Sequence, residues 1–274
     1  PGALFLLMYT SGTTGEPKGA MISQTQFLGA LHDCAELFRT HLETEAETSL
    51  TVLPLANIFG QFELAIGLVF GWKTCFATRL DRFELELSEV RPSVVFGVPR
   101  LFEKLLAGIR ENIESRPGPE RAVIEKLLEA SRRVAASRAA HERPALTDTA
   151  ESLLARQTIV KSVQKRLGGR LKFAISGGAP LAPALGSELD LLGLHVLEGY
   201  GLTETCSGDT FMEAGREIEK IGSTGRALAH VEIEVRDALA VHGRGGEPCP
   251  RCGTRITEVA PGGFVTSYCR GCQR

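Results

Sequence analysis

The stretch YTSGTTGEPKG, residues 9–19, follows an apolar run over residues 4–9 and precedes a segment with apolar residues at helical spacing from about Ser23. This pattern predicts a strand, a loop and a helix. The backbone N–H groups and hydroxyls of such a loop can donate to phosphate oxygens, and Lys18 adds a positive charge. The P-loop pattern GxxxxGK[ST] is excluded, because Gly15 lies only three residues before Lys18. We therefore predict a phosphate-binding loop of another class; a flexible loop without a ligand is the alternative.

Strand-like and helix-like patterns alternate through much of the chain. Short strands are predicted over residues 48–55, 93–98, 171–176, 195–198 and 231–236. Helical patterns follow the first two of these strands, over residues 62–70 and 101–113. Residues 119–166, rich in Ala, Glu, Lys, Arg and Leu, predict a solvated helical hairpin divided at Pro144. The alternation predicts an α/β fold with mostly parallel sheets covered by helices.

Composition and charge exclude several classes of protein. The 274 residues are 43% hydrophobic, enough for a sizeable core, and the formal net charge of −2 indicates neither a nucleic-acid nor a membrane partner. The longest strongly apolar stretch, residues 64–72, is far shorter than the roughly 20 residues of a membrane span. No signal-peptide pattern opens the chain. We expect a cytoplasmic protein without a membrane span.

Two further glycine-containing strings follow predicted strands. They are SGGAP at residues 176–180 and EGYGLTET at residues 198–205, and GSTGR follows at residues 222–226. Glycines at strand ends let a ligand approach the backbone closely. Together with the loop at residues 9–19, and in this order, the strings resemble the signature motifs of the adenylate-forming, or AMP-binding, superfamily. That superfamily includes acyl-CoA synthetases, luciferases and peptide-synthetase adenylation domains.

The resemblance implies a site for ATP and Mg²⁺. In the family the tyrosine of the second string packs on adenine, the threonine contacts phosphate and the glutamate holds Mg²⁺, which transfers these roles to Tyr200, Thr203 and Glu204. The cofactor-binding residues would be Thr10, Ser11, Gly12, Thr13, Thr14, Gly15, Lys18, Gly177, Gly178, Ala179, Pro180, Tyr200, Gly201 and Thr203. Lys18, Thr203 and Glu204 would be catalytic.

Three other strings resemble the long-chain fatty acyl-CoA synthetase branch: LPLANIFG at residues 53–60, VPRLFEK at 98–104 and LGGRLKF at 167–173. The resemblance implies that a fatty acid attacks the α-phosphate of ATP to give acyl-adenylate and pyrophosphate, and that coenzyme A then takes the acyl group. Asn57 stands where the family commonly has a histidine beside the acyl carboxylate, and it is the substrate residue we expect. An amide can hydrogen-bond there but cannot carry the charge of an imidazolium.

The chain departs from the family pattern at both ends. It begins almost on the phosphate loop, and no segment resembles the small C-terminal domain that brings a catalytic lysine in the family. We therefore expect ATP and Mg²⁺ binding with little turnover.

Four cysteines crowd the last 26 residues: Cys249, Cys252, Cys269 and Cys272. Their two CxxC pairs are 16 residues apart, which fits a structural Zn²⁺ site of four thiolates; chance pairs of free thiols are the alternative. The surrounding string resembles the C-terminal zinc finger of formamidopyrimidine-DNA glycosylases, a β-hairpin module that helps to grip DNA. Phe264 stands where those enzymes usually have an arginine that contacts DNA, so only weak DNA contact is implied.

After residue 237 glycine and proline become frequent and the hydrophobic periodicity fades. This change predicts a domain boundary there, between an adenylation core at 1–237 and a zinc finger at 238–274. Three hypotheses remain open at this point. The chain is an ATP-binding adenylation domain, a nucleic-acid-binding module that acts through its finger in DNA repair, or a chimeric fusion without integrated function.

Overall fold

The computed structural model describes residues 2–10, 17–39, 47–212 and 221–229, together with residues 231, 248, 255, 257–259 and 266–268. The chain divides into two compact units, Pro1–His230 and Val231–Arg274. No described helix has the length and apolar character needed to cross a membrane.

The first unit opens with an antiparallel ribbon of two strands, β1 (Leu4–Thr10) and β2 (Lys18–Ser23). The helix predicted from about Ser23 is confirmed as α1 (Gln24–Arg39), whereas β2, which returns alongside β1 before the helix begins, was not predicted. A reciprocal cap starts this helix: the Gln26 N–H donates to the Ser23 hydroxyl at 3.3 Å, and the Ser23 N–H donates to Gln26 Oε1 at 2.9 Å.

The main sheet of the first unit has seven strands. They are β3 (Thr48–Thr51), β4 (Lys73–Phe76), β5 (Val94–Gly97), β6 (Phe173–Ser176), β7 (Val196–Tyr200), β8 (Thr210–Phe211) and β9 (Arg226–Ala227). The spatial order is β4-β3-β5-β6-β7-β8-β9. The first five strands in this order, β4-β3-β5-β6-β7, are parallel, as predicted, whereas β8 and β9 add antiparallel pairs at one edge. The sheet is therefore mixed, and the strands of it that were predicted from the sequence, β3, β5, β6 and β7, all belong to its parallel part.

Helices cover both faces of this sheet. They are α2 (Ile58–Phe70), α3 (Phe83–Val90), α4 (Pro99–Glu114), α5 (Gly118–Ala139), α6 (Leu146–Ala155), α7 (Lys161–Arg166) and α8 (Pro183–Leu191). Side chains alternate along β5: Phe96 packs into one hydrophobic cluster with α1 and α2, and its neighbour Val95 packs into a second cluster with α3 to α8. On β6, Ile175 packs into the first cluster and its neighbour Ala174 into the second. This two-sided burial confirms the predicted parallel sheet covered by helices.

The predicted helical hairpin is present as α5 and α6, with Pro144 in the connection. Ion pairs of 2.7 Å join the two helices, from Arg133 to Asp148 and from Lys126 to Glu151. A π-helical turn, Arg156–Val160, follows α6 directly and leads into α7. The sequence contained no signal for that wide turn.

In the second unit, β10 (Thr257–Val259) pairs antiparallel with β11 (Thr266–Tyr268), and residue 248 forms an isolated bridge with residue 255. Residues 232–240 lie outside the described part of the chain, as do all four clustered cysteines. The strand predicted over residues 231–236, the boundary after residue 237 and the zinc finger therefore stay predictions.

Candidate functional site

A cavity of about 600 Å³ opens in the first unit at the carboxyl ends of β6 and β7. Its lining comes from the facing ends of β1 and β2, the start of α2, and the segments that follow β6 and β7. The carboxyl ends of parallel strands are the usual ligand-binding edge of an α/β sheet. We call this space the main cavity.

The main cavity brings together predicted residues from widely separated parts of the chain. Thr10, Lys18, Asn57, Gly177, Gly178, Tyr200, Gly201, Thr203 and Glu204 all line it. Ala179 and Pro180 are exposed and are not part of this lining. Residues 11–15, the centre of the predicted phosphate loop, lie outside the described residues.

The ribbon places Thr10 and Lys18 at the main cavity. These residues are register partners at the ends of β1 and β2, and the Thr10 hydroxyl donates to the Lys18 carbonyl at 3.5 Å. The Lys18 side chain is exposed, and no described residue forms an ion pair with it. In the described part of the chain, nothing competes with an anionic ligand for its positive charge.

Asn57 has a structural role that the sequence analysis missed. It is the N-cap of α2, and its side-chain carbonyl accepts a hydrogen bond from the Phe59 N–H at 2.9 Å. Such a cap is worth about 1 kcal/mol of stability. The side-chain nitrogen of Asn57 is left as the group that can donate to a ligand in the main cavity.

The loop after β7 is folded tightly enough to hold Tyr200, Thr203 and Glu204 in place. The Thr205 hydroxyl donates to the Asp209 carboxylate at 2.7 Å and accepts from the Leu202 N–H at 3.0 Å. The Asp209 N–H in turn donates to the carbonyl of residue 200 at 2.8 Å. These bonds close the loop on itself beside the main cavity.

Backbone strain accompanies this closure. Cys206 and Ser207 have φ values of 70° and 83°, a region that residues other than glycine seldom adopt. A Cβ at Gly201 would lie 1.6 Å from the Ser207 carbonyl oxygen, so only glycine fits there. Strained residues persist where the surrounding structure holds them, and they concentrate at functional sites.

The inner wall of the main cavity is apolar. Phe38, Phe96, Ile175 and Phe211 are buried there. The ring of Phe38 meets that of Phe211 edge-on, with centroids 5.2 Å apart. The cavity therefore combines a polar rim with an apolar interior, as a site for a ligand with both kinds of surface would.

Two buried hydroxyls on this lining have no hydrogen-bond partner among the described residues. They belong to Ser176, which is fully buried, and Thr210, which is 6% exposed. A buried polar group without a partner costs about 1–3 kcal/mol. A ligand in the main cavity can supply those partners. Ser176 belongs to a string that the sequence analysis quoted, but nothing in the sequence singled out Thr210.

Cys34 also lines the main cavity, but its thiol is not set up as a nucleophile. Burial, together with the nearby charge of Asp33, raises the pKa of Cys34 to about 12. The reactive thiolate is therefore scarce near neutral pH, and covalent thiol chemistry is not what this site provides.

The residues on the rim suit a cation that bridges protein and phosphate. The Glu204 carboxylate is exposed and has no ion-pair partner in the part of the chain that the structure describes. Among the described residues, no group of three or more His, Cys, Asp or Glu residues is arranged so that it could hold a metal ion by itself. A hard cation at Glu204 would thus need further oxygen ligands from the bound molecule, which is the usual arrangement for Mg²⁺ with phosphates.

The four clustered cysteines, Cys249, Cys252, Cys269 and Cys272, lie outside the described residues. Zinc binding and DNA contact through the second unit therefore stay predictions.

Comparisons with known proteins agree with this geometry. Long chain acyl-CoA synthetase 3 of Arabidopsis thaliana is 30% identical over 260 residues, which cover 89% of this chain and 37% of that protein. Long-chain-fatty-acid–CoA ligase 2 of Schizosaccharomyces pombe is 30% identical over 237 residues, covering 84% of this chain and 33% of that protein. The chain thus spans about a third of the length of these curated relatives.

A solved structure shows the same fold. It is o-succinylbenzoate coenzyme A synthetase from Bacillus subtilis in complex with ATP and magnesium ion, with a TM-score of 0.54, 20% identity, and coverage of 84% of this chain and 37% of that chain. The family model described as AMP-binding enzyme matches residues 1–251. That match spans most of the sequence and includes every residue of the main cavity, and so this chain belongs to the AMP-binding enzyme family.

Proposed function

We propose that the main cavity binds ATP with Mg²⁺ and a fatty acid, and that it serves the adenylation step of an acyl-CoA synthetase reaction. The observation that carries this proposal is the gathering of Lys18, Tyr200, Thr203 and Glu204 with the glycines after β6 on one cavity. A volume of about 600 Å³ lies within the range of about 300–1,000 Å³ that is usual for small-molecule sites.

In this proposal the polar rim handles the triphosphate. Lys18 and the Thr203 hydroxyl bind phosphate oxygens, and the Thr10 hydroxyl does so after it turns from its long 3.5 Å bond to the Lys18 carbonyl. Glu204 holds Mg²⁺, whose positive charge offsets the negative charge of the phosphates. Tyr200, which is 48% exposed at the end of β7, offers its ring to the adenine.

The acid would sit deeper, with its carboxylate near the Asn57 amide and its chain against the apolar wall. A carboxylate oxygen attacks the α-phosphorus as the bond to the bridging oxygen of pyrophosphate breaks, which gives acyl-adenylate and pyrophosphate. Binding the two reactants side by side supplies much of the rate enhancement, because the attack becomes effectively unimolecular. Coenzyme A would accept the acyl group in the whole protein.

Removing the charge of Lys18 tests the ATP part of the proposal. We expect Lys18→Gln to weaken Mg-ATP binding about tenfold or more, because a hydrogen bond to a charged group is worth about 1.5–3 kcal/mol. Isothermal titration calorimetry on the full chain measures this. The exposed Lys161 on α7 is outside the main cavity, so Lys161→Gln is the matched control and should bind ATP normally. Equal affinities for the two variants, or no binding by the unmodified chain, would contradict the proposal.

The fatty-acid part needs a separate comparison. Stable acyl-sulfamoyl-adenosine analogues with a long alkyl chain and with an acetyl group differ only in apolar surface. The long analogue should bind more tightly, since each buried methylene contributes about 0.8 kcal/mol. If both analogues bind equally, the apolar wall does not hold an alkyl chain, and another class of acid is the substrate.

A further inference from the structure

A second cavity, of about 330 Å³, lies in the helical part of the first unit. Its walls come from the C-terminal half of α5, from α6 with the π-helical turn, from α7, and from the turn after α8. No residue lines both this cavity and the main cavity. We call it the arginine cavity, after Arg138 and Arg156 on its lining.

The two arginines have no side-chain partner in the part of the chain that the structure describes. Within the described residues, neither Arg138 nor Arg156 forms an ion pair or a side-chain hydrogen bond. Six other arginines of α4 to α7 are paired: Arg110 and Arg132 with Glu188, Arg116 with Glu120, Arg121 with Glu125, Arg133 with Asp148, and Arg166 with Glu84. Arg100 on α4 and Arg143 between α5 and α6 also form no described ion pair, but neither lines the arginine cavity. Arg138 and Arg156, both exposed, differ from them in sharing one cavity.

Other polar groups on the lining suit an anion. The side chains of Ser152 and Gln164 can donate, and no described residue accepts from them. The one carboxylate on the lining, that of Asp190, has an oxygen 2.7 Å from His195 Nδ1, and the two guanidinium groups outnumber its single negative charge. The hydroxyls of Ser131 and Thr149 donate to backbone carbonyls at 2.9 Å, so their protons are not available to a ligand.

The π-helical turn gives the arginine cavity its shape. Its first and last residues, Arg156 and Val160, both line the cavity. Gly193, with φ of 79°, packs so closely on this turn that a Cβ there would lie 2.3 Å from Val160 Cγ1. π-Helical turns are rare and occur frequently at functional sites.

We propose that the arginine cavity binds a phosphate group, either free or carried by a small phosphorylated molecule, between the guanidinium groups of Arg138 and Arg156. Guanidinium groups match phosphate oxygens with two parallel hydrogen bonds, and Ser152 and Gln164 add neutral donors. The volume of about 330 Å³ limits the rest of the ligand to a small body. This inference does not depend on the proposed reaction in the main cavity.

Calorimetric titration of the full chain with inorganic phosphate and with glycerol 3-phosphate, at constant ionic strength, tests the proposal. The double variant Arg138→Gln/Arg156→Gln should bind at least about tenfold more weakly, because it loses charge-assisted hydrogen bonds. Arg138→Lys/Arg156→Lys should recover part of the affinity. Arg143→Gln, which removes an exposed arginine outside the cavity, is the matched control and should bind normally.

Phosphate can also enter the main cavity, and Lys18→Gln separates the two sites. Binding through the arginine cavity persists in Lys18→Gln, whereas binding lost in that variant alone would overturn the proposal. Unchanged affinity in the double glutamine variant, or no saturable binding at millimolar phosphate, would overturn it as well. Tighter binding of glycerol 3-phosphate than of inorganic phosphate would identify a phosphorylated molecule, and equal binding would identify the phosphate group alone, as what the site recognises.

Chemical modification gives a readout that needs no variant. Phenylglyoxal labels accessible arginines, and mass spectrometry locates the label. Phosphate should protect Arg138 and Arg156 but leave Arg143 reactive, whereas equal labelling of the three residues with and without phosphate would contradict the proposal.

Discussion

At the scale of single residues, glycines decide how closely the loops around the main cavity can fold. A Cβ at Gly201 would lie 1.6 Å from the Ser207 carbonyl oxygen, and one at Gly225 would lie 1.8 Å from the Phe211 carbonyl oxygen. Both neighbours are backbone atoms, which cannot move aside as the end of a flexible side chain can. The shape of the rim therefore depends on these positions having no side chain.

We expect Gly201→Ala to displace the loop that carries Tyr200 and Glu204, and to weaken ATP binding at least about tenfold. Overpacking of this kind costs about 1–3 kcal/mol, so a lower melting temperature should accompany the loss. Gly29→Ala is the control: it lies on α1 with no atom within 4 Å of its added Cβ. It should bind ATP normally and gain about 0.5–1 kcal/mol of stability. Wild-type ATP affinity in Gly201→Ala, measured by calorimetry, would show that the loop does not shape the site.

Single residues also show which features of the main cavity could be predicted from the sequence and which could not. Lys18, Tyr200 and Glu204 could be predicted to share a site because their strings resemble ordered family motifs, and Tyr200 also ends a parallel strand at the usual ligand-binding edge. Lys18 reaches the main cavity from the separate antiparallel ribbon, which that rule does not cover. The capping role of Asn57 could not be predicted, because it depends on where α2 begins. The lack of a partner for Thr210 depends on β8, a strand of two residues that has no periodicity to detect.

At the scale of elements, α2 carries a buried carboxyl group that no described hydrogen bond satisfies. Glu63 is 1% exposed, and neither of its oxygens has a hydrogen-bond partner among the described residues. Burial raises the pKa of Glu63 from 4.5 to about 8, and the nearby Thr51 hydroxyl opposes this rise only in part. The folded chain therefore holds this proton at pH values where the unfolded chain has released it.

The consequence is a stability that falls as pH rises. Between pH 4.5 and about 8 the folded state binds one more proton at Glu63 than the unfolded state, so this group lowers the free energy of unfolding by up to about 1.4 kcal/mol per pH unit. Glu63→Gln should remove that slope and raise the free energy of unfolding at pH 7 by about 1–3 kcal/mol. Urea unfolding at several pH values measures both the free energy of unfolding and its slope with pH. The exposed Glu111→Gln on α4 should keep the wild-type slope, and an unchanged slope in Glu63→Gln would show that Glu63 is ionised in the fold.

The helices and strands differed in how clearly the sequence predicted them. The β5 and β6 strands and the α5–α6 hairpin could be predicted because continuous apolar runs and helical spacing extend over the whole element. β2 was missed, since it directly adjoins the cap of α1 and its pairing with β1 depends on the loop between them. The π-helical turn continues the helical spacing of α6, so only the structure distinguishes it.

At the scale of the whole molecule, the two compact units divide the predicted functions between them. All residues that line the main cavity lie in Pro1–His230, and all four clustered cysteines lie in Val231–Arg274. If the cysteines bind zinc, the metal holds together only the second unit's own chain, because the CxxC pairs close a loop within it. ATP binding in the first unit should then be independent of zinc.

We expect the purified chain to contain about one Zn²⁺, and Cys249→Ser/Cys269→Ser to contain none, because four thiolates complete a tetrahedral structural site and removing two leaves too few ligands. Atomic emission spectroscopy measures the metal, and Cys75→Ser, which removes a free cysteine of β4, should retain it. The zinc-free double variant should still bind Mg-ATP with wild-type affinity. Zinc retained by that variant would exclude the four-cysteine site, and a loss of ATP binding together with zinc would mean that the second unit supports the main cavity.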